Sequence, residues 1–167
     1  MAYTTGAPSI YYSHASLGSV LGFANDMAAL DAKKEALRLQ SVGAFEKALP
    51  LMLTSVKLRE HSHTLCLSLS ELADLYLDMC DFEKADETTC RMLEEAWRYD
   101  TQEQTRIANE IVQDSAKGKR VGLMHGAAVK ICCPALPHLK DEVGILRGKV
   151  RGKSEYYVDV GSVRHVI

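Results

Sequence analysis

Four groups of side chains in this sequence have residue types and spacings that could support chemistry. Two histidines separated by one residue could ligate a metal ion, and two adjacent cysteines could be redox-active. Two carboxylates one helical turn apart could share acid and base roles, and a pair of glycines could approach a phosphate. The four groups are His61-x-His63, Cys132-Cys133, Asp74 with Asp78, and Gly118-x-x-x-Gly122.

None of these groups is complete as a catalytic or metal-binding site. The histidines lack further ligands at zinc spacing, and the cysteines lack a CxxC pattern. The carboxylates lack the contrasting surroundings that would separate their pKa values, and no Gly-Lys-Ser/Thr element follows the glycines. Neither GxSxG nor HExxH occurs. The sequence therefore predicts no catalytic residue, no metal site and no cofactor, and the protein is not expected to be an enzyme.

The length and composition predict one ordinary domain or two small ones. Of the 167 residues, 47% are hydrophobic and 25% are charged, as in a globular protein with a buried core. Five cysteines, an odd number, argue against a disulfide framework and predict reduced thiols in the cytoplasm or the nucleus. No apolar run reaches the roughly 18–20 residues of a membrane span, so no membrane association is expected.

Charge divides the chain into two parts. Residues 1–115 carry 10 Lys and Arg against 18 Asp and Glu, a net −8, whereas residues 116–167 carry 10 against 4, a net +6. This asymmetry predicts a boundary close to residue 117, between a helical domain over 25–117 and a small β domain over 118–167. Residues 1–24 carry no formal side-chain charge and no basic stretch, which predicts a flexible arm rather than a signal peptide.

An internal repeat organises the acidic part. The tetrapeptide Phe-Glu-Lys-Ala occurs at 45–48 and again at 82–85, which is 37 residues later. Three upstream positions agree at the same offsets, because Ala36, Leu39 and Gly43 correspond to Ala73, Tyr76 and Cys80. A repeat of this period is typical of stacked supersecondary units, with the aromatic and alanine side chains facing inward and the Glu-Lys pair facing water.

Helical spacing of apolar residues predicts five antiparallel helices around this repeat. Asn25 and Asp81 are predicted N-caps, and Gly43 is predicted to end the first helix. Pro50 is expected to bend or loosen the second helix. The predicted ranges are 25–42, 44–60, 64–80, 82–98 and 101–116, with the last helix ending before Gly118.

The repeated residues resemble tetratricopeptide (TPR) repeats of the kinesin-light-chain type. The pattern rests on Gly43-x-Phe45-x-x-Ala48, and on Leu72-Ala73-x-x-Tyr76 followed by Phe82-x-x-Ala85. The resemblance implies that the first helix of each pair lines a concave face that binds a peptide or protein. That face would carry Lys33, Leu37, Gln40, Ser70, Asp74, Leu77 and Asp78. The alternative is an ordinary solvated helix face, since exposed charged positions are the default on surface helices.

The basic part alternates apolar and polar residues in four short runs, which predicts a small antiparallel β unit. The runs lie near 129–131, 143–150, 156–160 and 163–167, with turns at Gly152-Lys153-Ser154 and Gly161-Ser162. The stretch around Val143-Gly144-Ile145 resembles an SH3-like, KOW-like small barrel. The expected fold class is therefore α+β, with an antiparallel helical hairpin stack followed by a small antiparallel β-barrel.

Two functions compete on this reading. The first is a non-enzymatic adaptor or scaffold that binds a protein or peptide in the helical groove through large residues such as Tyr76, Leu77 or Trp97. The open ends of the helical stack also predict a homo-oligomer or incorporation into a larger assembly. The second is binding of RNA or DNA by the β unit, whose cations recur at every second position and would share one face of a strand. Those cations are Arg147, Lys149, Arg151 and Lys153. A solvated outer sheet face is the alternative for this row.

Overall fold

The computed structural model describes residues 15–98 and 102–167, with side-chain surroundings from Gly22 onward. In these ranges five α-helices precede a four-stranded antiparallel sheet, which confirms the predicted α+β class. The helices are α1 (Ala15–Ser41), α2 (Phe45–Leu58), α3 (Leu65–Asp78), α4 (Phe82–Arg98) and α5 (Gln102–Val121). The strands are β1 (Ala128–Lys130), β2 (Val143–Lys149), β3 (Tyr156–Val160) and β4 (Val163–Val166), and a short 3-10 helix, η1 (Pro137–Leu139), lies between β1 and β2.

The outer limits of the helical part differ from the prediction at both ends. The helix α1 begins at Ala15, so Asn25 is not its N-cap and residues 15–24 are helical. The rest of the predicted arm, residues 1–14, lies outside the described residues. The helix α5 continues through Gly118 instead of ending before it. A Cβ at Gly118 would lie 2.2 Å from the Phe82 ring, so the missing side chain allows α5 to pack closely on α4.

The two repeat copies end their first helix with the same turn. In the first copy the N–H of Ala44 donates to Leu39 and that of Gly43 to Gln40; in the second the N–H of Asp81 donates to Tyr76 and that of Cys80 to Leu77. This pair of bonds is the Schellman motif, which requires a left-handed residue after the helix. Gly43 (φ 73°) and Cys80 (φ 58°) take that position.

The predicted orientation of the tetrapeptide is confirmed in both copies. Phe45, Ala48, Phe82 and Ala85 are buried, whereas the Glu and Lys residues between them are exposed. The predicted cap of α4 is confirmed as well, because a carboxylate oxygen of Asp81 accepts the N–H of Lys84 at 3.3 Å. Helix α2 continues through Pro50 without a break.

The sheet is an open meander in the order β1-β2-β3-β4. Strands β1 and β4 are its two edges and each pairs with one neighbour, so the closed barrel that we expected is not confirmed. Strand β2 is irregular: Leu146 opposes Val158 and Gly148 opposes Tyr157, which leaves Arg147 as an extra residue in a β-bulge.

The sheet packs directly on the helices, and both hydrophobic cores cross the predicted domain boundary. The first core lies among α1 to α5 and includes Tyr157 of β3, whose ring meets that of Phe45 edge to face at 5.7 Å. The second core joins Cys80 and Phe82 of the second repeat turn to residues of the β unit: Ile131, Leu139, Leu146 and Val158. The acidic and basic parts of the sequence therefore share their interior.

Candidate functional site

The two surfaces that the sequence predicts as alternative binding sites lie against each other. The guanidinium of Arg151, in the β2–β3 turn, is 3.6 Å from the carboxylate of Asp74 on α3. Lys149 at the end of β2 and Asp78 at the end of α3 line the same cavity. We call this contact zone between α3, α5 and the β2–β3 hairpin the helix–sheet seam.

The predicted groove residues are mostly engaged within the chain. Lys33 pairs with Glu71 at 2.7 Å, and the Ser70 hydroxyl donates to the Leu67 carbonyl. Gln40 is 1% exposed and donates from Nε2 to Asp78 at 2.6 Å, which ties α1 to α3. The apolar members are half-buried, with Leu37 packed on the first core and Leu77 packed on both cores. Of the predicted set, Leu77 and Asp78 line the cavity.

The predicted row of four cations is not a continuous basic face. The bulge at Arg147 interrupts the alternation of β2, and both Arg151 and Lys153 lie in the turn after the strand. Three of the four contact a carboxylate: Arg147 with Asp159 at 2.7 Å, Arg151 with Asp74, and Lys153 with Glu155 at 3.4 Å. Strand alternation over 147–153 was therefore the wrong premise, because a bulge and a turn both change the direction of successive side chains.

The seam contains a cavity of about 300 Å³. Its walls are apolar and come from both units, with Phe82 and Val121 on the helical side and Leu123 and Tyr156 on the side of the β unit. Its rim is charged, with an Asp114–Lys117 pair at 2.8 Å on α5 and the separate charges of Asp78 and Lys149. An apolar cavity with a few polar groups at its edge is the usual form of a binding pocket, and this one is at the small end of the range.

Burial and neighbouring charge shift the carboxylates of α3 at the seam. The pKa of Asp74 is raised to about 6, mainly by burial, while Arg151 opposes the shift and the carboxylates of Glu71, Asp78 and Asp114 add to it. Burial also raises the pKa of Asp78, although the hydrogen bond from Gln40 and the charges of Arg151 and Lys149 act in the opposite direction. Carboxylates held above their ordinary pKa are common at functional sites, and of these two Asp78 lines the cavity while Asp74 lies one helical turn before it on α3.

Cys80 lies in the cavity wall in a backbone conformation that costs about 1–2 kcal/mol for a non-glycine residue. Its carbonyl accepts the N–H of His125 at 3.2 Å, and the ring Nδ1 of His125 lies 2.9 Å from the Arg147 carbonyl, so the turn is fixed to the β unit. Burial raises the pKa of the Cys80 thiol to about 11, so this sulfur is a packing group rather than a nucleophile.

Several residues that form the seam were not predicted from the sequence. Phe82 was predicted only as a core residue, the region of Lys117 only as a domain boundary, and Tyr156 only as part of a strand. A second unpredicted group fixes the sheet to α2: the guanidinium of Arg164 contacts Asp159, the Gly43 carbonyl and Glu46 at 3.1 Å. The continuing helical period beyond Gly118 was the one sequence signal that could have placed Lys117 and Val121 on α5.

Other candidates from the sequence gain no support. His61 and His63 are both exposed, and no group of metal-ligating side chains occurs in the described parts of the chain. Trp97, a predicted anchor, is 75% exposed at the end of α4, whereas Tyr76 is buried. All five cysteines are free. None of the described helices is long and apolar enough to cross a membrane.

Comparison of the chain with protein families, curated proteins and solved structures finds no match. The inference of function therefore depends on the site itself.

Proposed function

We propose that the protein is a non-enzymatic adaptor that holds a segment of another protein at the helix–sheet seam, with one apolar side chain of that segment in the seam cavity. The observation that carries this proposal is the cavity itself, because it combines apolar walls with a charged rim. Protein interfaces concentrate binding energy where one large side chain fills such a pocket. The TPR resemblance implies peptide binding on a face that includes Leu77 and Asp78, and these two residues of that face also line the cavity.

The size and charge of the cavity indicate what the segment must offer. A volume of about 300 Å³ accommodates one large side chain and little more. The rim has equal numbers of positive and negative groups, from Asp78, Asp114, Lys117 and Lys149, so an uncharged anchor is favoured over a strongly charged one. The free thiols agree with a location in the cytoplasm or the nucleus.

The nucleic-acid alternative has less in its favour. Counterion release requires cations that are free to exchange their partners for phosphates. Arg147, Arg151 and Lys153 already contact carboxylates of this chain, and the partner of Arg151 is Asp74 of α3. Retention of labelled RNA or DNA at low salt, lost on Lys149→Glu, would revive it.

A displayed library of random peptides selected against the intact protein tests the adaptor proposal. Val121 is exposed at the cavity, and Val112 is exposed elsewhere on the same helix, so the same change can be made at both. Val121→Asp should raise the dissociation constants of the selected peptides, measured by fluorescence anisotropy, at least about tenfold. The reason is that a buried anchor side chain contributes more than about 1.4 kcal/mol to binding. Val112→Asp should leave their affinity unchanged. A library without binders, or binders that tolerate Val121→Asp, would contradict the proposal.

A further inference from the structure

The two edges of the sheet differ in how they are protected. Strand β1 is three residues long, and the charged side chain of Lys130 on it pairs with Asp141 at 2.8 Å. Two prolines follow it at 134 and 137. Short length, an edge lysine and nearby prolines are the devices by which proteins prevent further strand pairing.

Strand β4 is one residue longer, at four residues, and residues 156–167 contain neither a lysine nor a proline. Its only charged side chain apart from histidine is Arg164, and that guanidinium is turned onto α2 and Asp159. Val163 and Val166 are exposed, at 55% and 46%. An exposed apolar edge of this kind is a ready template for another strand.

The register shows which backbone groups this edge offers. Tyr156 and Ile167 exchange both of their N–H to carbonyl bonds, at 2.8 and 2.9 Å, so they are a hydrogen-bonded pair. In an antiparallel ladder such pairs alternate with pairs that do not bond, so His165 and Val163 also bond to β3. Arg164 and Val166 therefore direct their N–H and carbonyl groups away from the sheet.

We propose that this edge of β4 pairs antiparallel with β4 of a second copy of the chain, across a two-fold axis at His165. The two outward-directed residues lie symmetrically about His165, so Arg164 of one copy opposes Val166 of the other and each such pair exchanges two hydrogen bonds. On the other face Val163 opposes Ile167 of the second copy. No like charges oppose each other in this register apart from the dyad histidines, and the two four-stranded sheets become continuous.

The partner is a second copy rather than an arbitrary peptide because the edge complements itself. In this register the two-fold axis places a Val163–Ile167 pair on each side of His165. It also sets Arg164 beside Val166 rather than beside another cation, so one surface supplies both halves of the contact. This contact is separate from the seam cavity, so its success or failure leaves the adaptor proposal unaffected.

Analytical ultracentrifugation over a concentration series tests the dimer directly. Val166→Pro removes an outward N–H without touching a bond to β3, so it should raise the dimer dissociation constant at least about tenfold, since two of the intermolecular hydrogen bonds are lost. Ala128→Pro is the matched control, since Ala128 is an outward position on β1 by the same alternation. It should leave the dimer unchanged.

Disulfide trapping fixes the register. With Cys90, Cys132 and Cys133 replaced by serine, His165→Cys should form an intermolecular disulfide on mild oxidation, because opposed Cα atoms of a non-bonded pair lie about 4.5 Å apart. Val163→Cys should not, because the two copies of that position would be about 13 Å apart. A protein that stays monomeric at about 1 mM, far above the dissociation constants of specific interfaces, overturns the proposal. So does a dimer that keeps its affinity in Val166→Pro and gives no His165→Cys disulfide.

Discussion

The turn before Phe45 and the turn before Phe82 end their helices with the same two hydrogen bonds, yet they meet the sheet in different ways. At the first turn the Tyr157 ring covers Gly43 so closely that a Cβ there would lie 2.6 Å from it. At the second turn Cys80 and Phe82 border the seam cavity. Equal local structure therefore leads to a closed contact in one copy and an open one in the other.

In this duplicated unit the positions that agree between the copies and the positions that differ have separate roles. Positions that agree between the copies, such as Phe45 and Phe82, serve packing in both. Positions that differ set the surroundings: Leu37 of the first copy corresponds to Asp74 of the second, at the same offset of 37 residues. The second copy carries the carboxylates, the strained turn and the cavity, so the proposed binding site rests on features that the first copy lacks.

The largest expected effects come from the two aromatic rings. Phe45→Ala should lower the free energy of unfolding by about 4 kcal/mol, whereas Phe82→Ala should lower it by about 3 kcal/mol, because the cavity already removes some neighbours from the Phe82 ring. Urea unfolding of both variants measures the difference. Equal losses, or a larger loss at Phe82, would mean that the second turn is as closely packed as the first.

Adding a single methyl group at the first turn should also destabilise the protein. Gly43→Ala combines a left-handed backbone with the Tyr157 clash, so we expect a loss of about 3 kcal/mol. Gly122→Ala is the control, since Gly122 has a similar φ of 75° and no atom within 4 Å of its added Cβ. It should cost only about 1 kcal/mol in the same urea titration. A similar loss in the two variants would show that Tyr157 does not seal the first turn.

The carboxylate of Asp74, in the second copy, should lower the stability of the protein at neutral pH. Its pKa is raised to about 6, above the ordinary 3.8, so the folded state holds the proton more tightly than the unfolded chain. Stability should therefore fall as pH rises from about 4 to about 6 and stay lower above that range. Asp74→Asn should remove this dependence and stabilise the protein at pH 7 by about 1 kcal/mol, a figure kept small because the side chain is 41% exposed.

Thermal melts of wild type and Asp74→Asn at pH 4 and pH 7 measure this effect. Leu37 occupies the same position in the first copy, so Leu37→Asn should produce no stabilisation at either pH. A variant Asp74→Asn that is less stable than wild type at pH 7 would show that the ion pair with Arg151 outweighs the burial of the carboxylate.

The smallest effect is expected at the second turn, beside the seam cavity. Cys80→Gly relieves the left-handed strain but removes a buried side chain, and the two contributions are each about 1 kcal/mol, so the free energy of unfolding should change by less than about 1 kcal/mol. The native thiol should also react with iodoacetamide far more slowly than the exposed Cys90. Mass spectrometry of the alkylated peptides measures this, and rapid labelling of Cys80 would show that the turn opens in solution.

Local sequence signals predicted most of the secondary structure, because they depend on neighbouring residues. Asp81 has the side chain to cap α4, and Gly43 permits a left-handed helix end. The error at α5 arose where tertiary packing decides the outcome. At Gly118 the missing side chain leaves room for the Phe82 ring, which lets α5 continue against α4. The extension of α1 before Asn25 is not explained by packing, because most residues from Gly22 to Ala28 are exposed.

The candidate site was only half predictable for a related reason. Leu77, Asp78 and Lys149 were each named from the sequence, but as members of two competing surfaces. They come together across the seam through contacts between residues more than 60 positions apart in the chain. No periodicity within either segment encodes such a contact.

Local signals in the sequence were enough for the helices of the repeat, the strands of the basic part and the inward side of the repeated tetrapeptide, because propensity, capping and hydrophobic period depend on neighbouring residues. The tertiary structure alone decided that the sheet stays open, that its β3 aromatic Tyr157 enters the helical core, and that the acidic and basic surfaces face each other. The physical reason is that packing between segments depends on the shapes of both surfaces together. The duplicated turn is the plainest case, since the two copies differ in whether Tyr157 covers them.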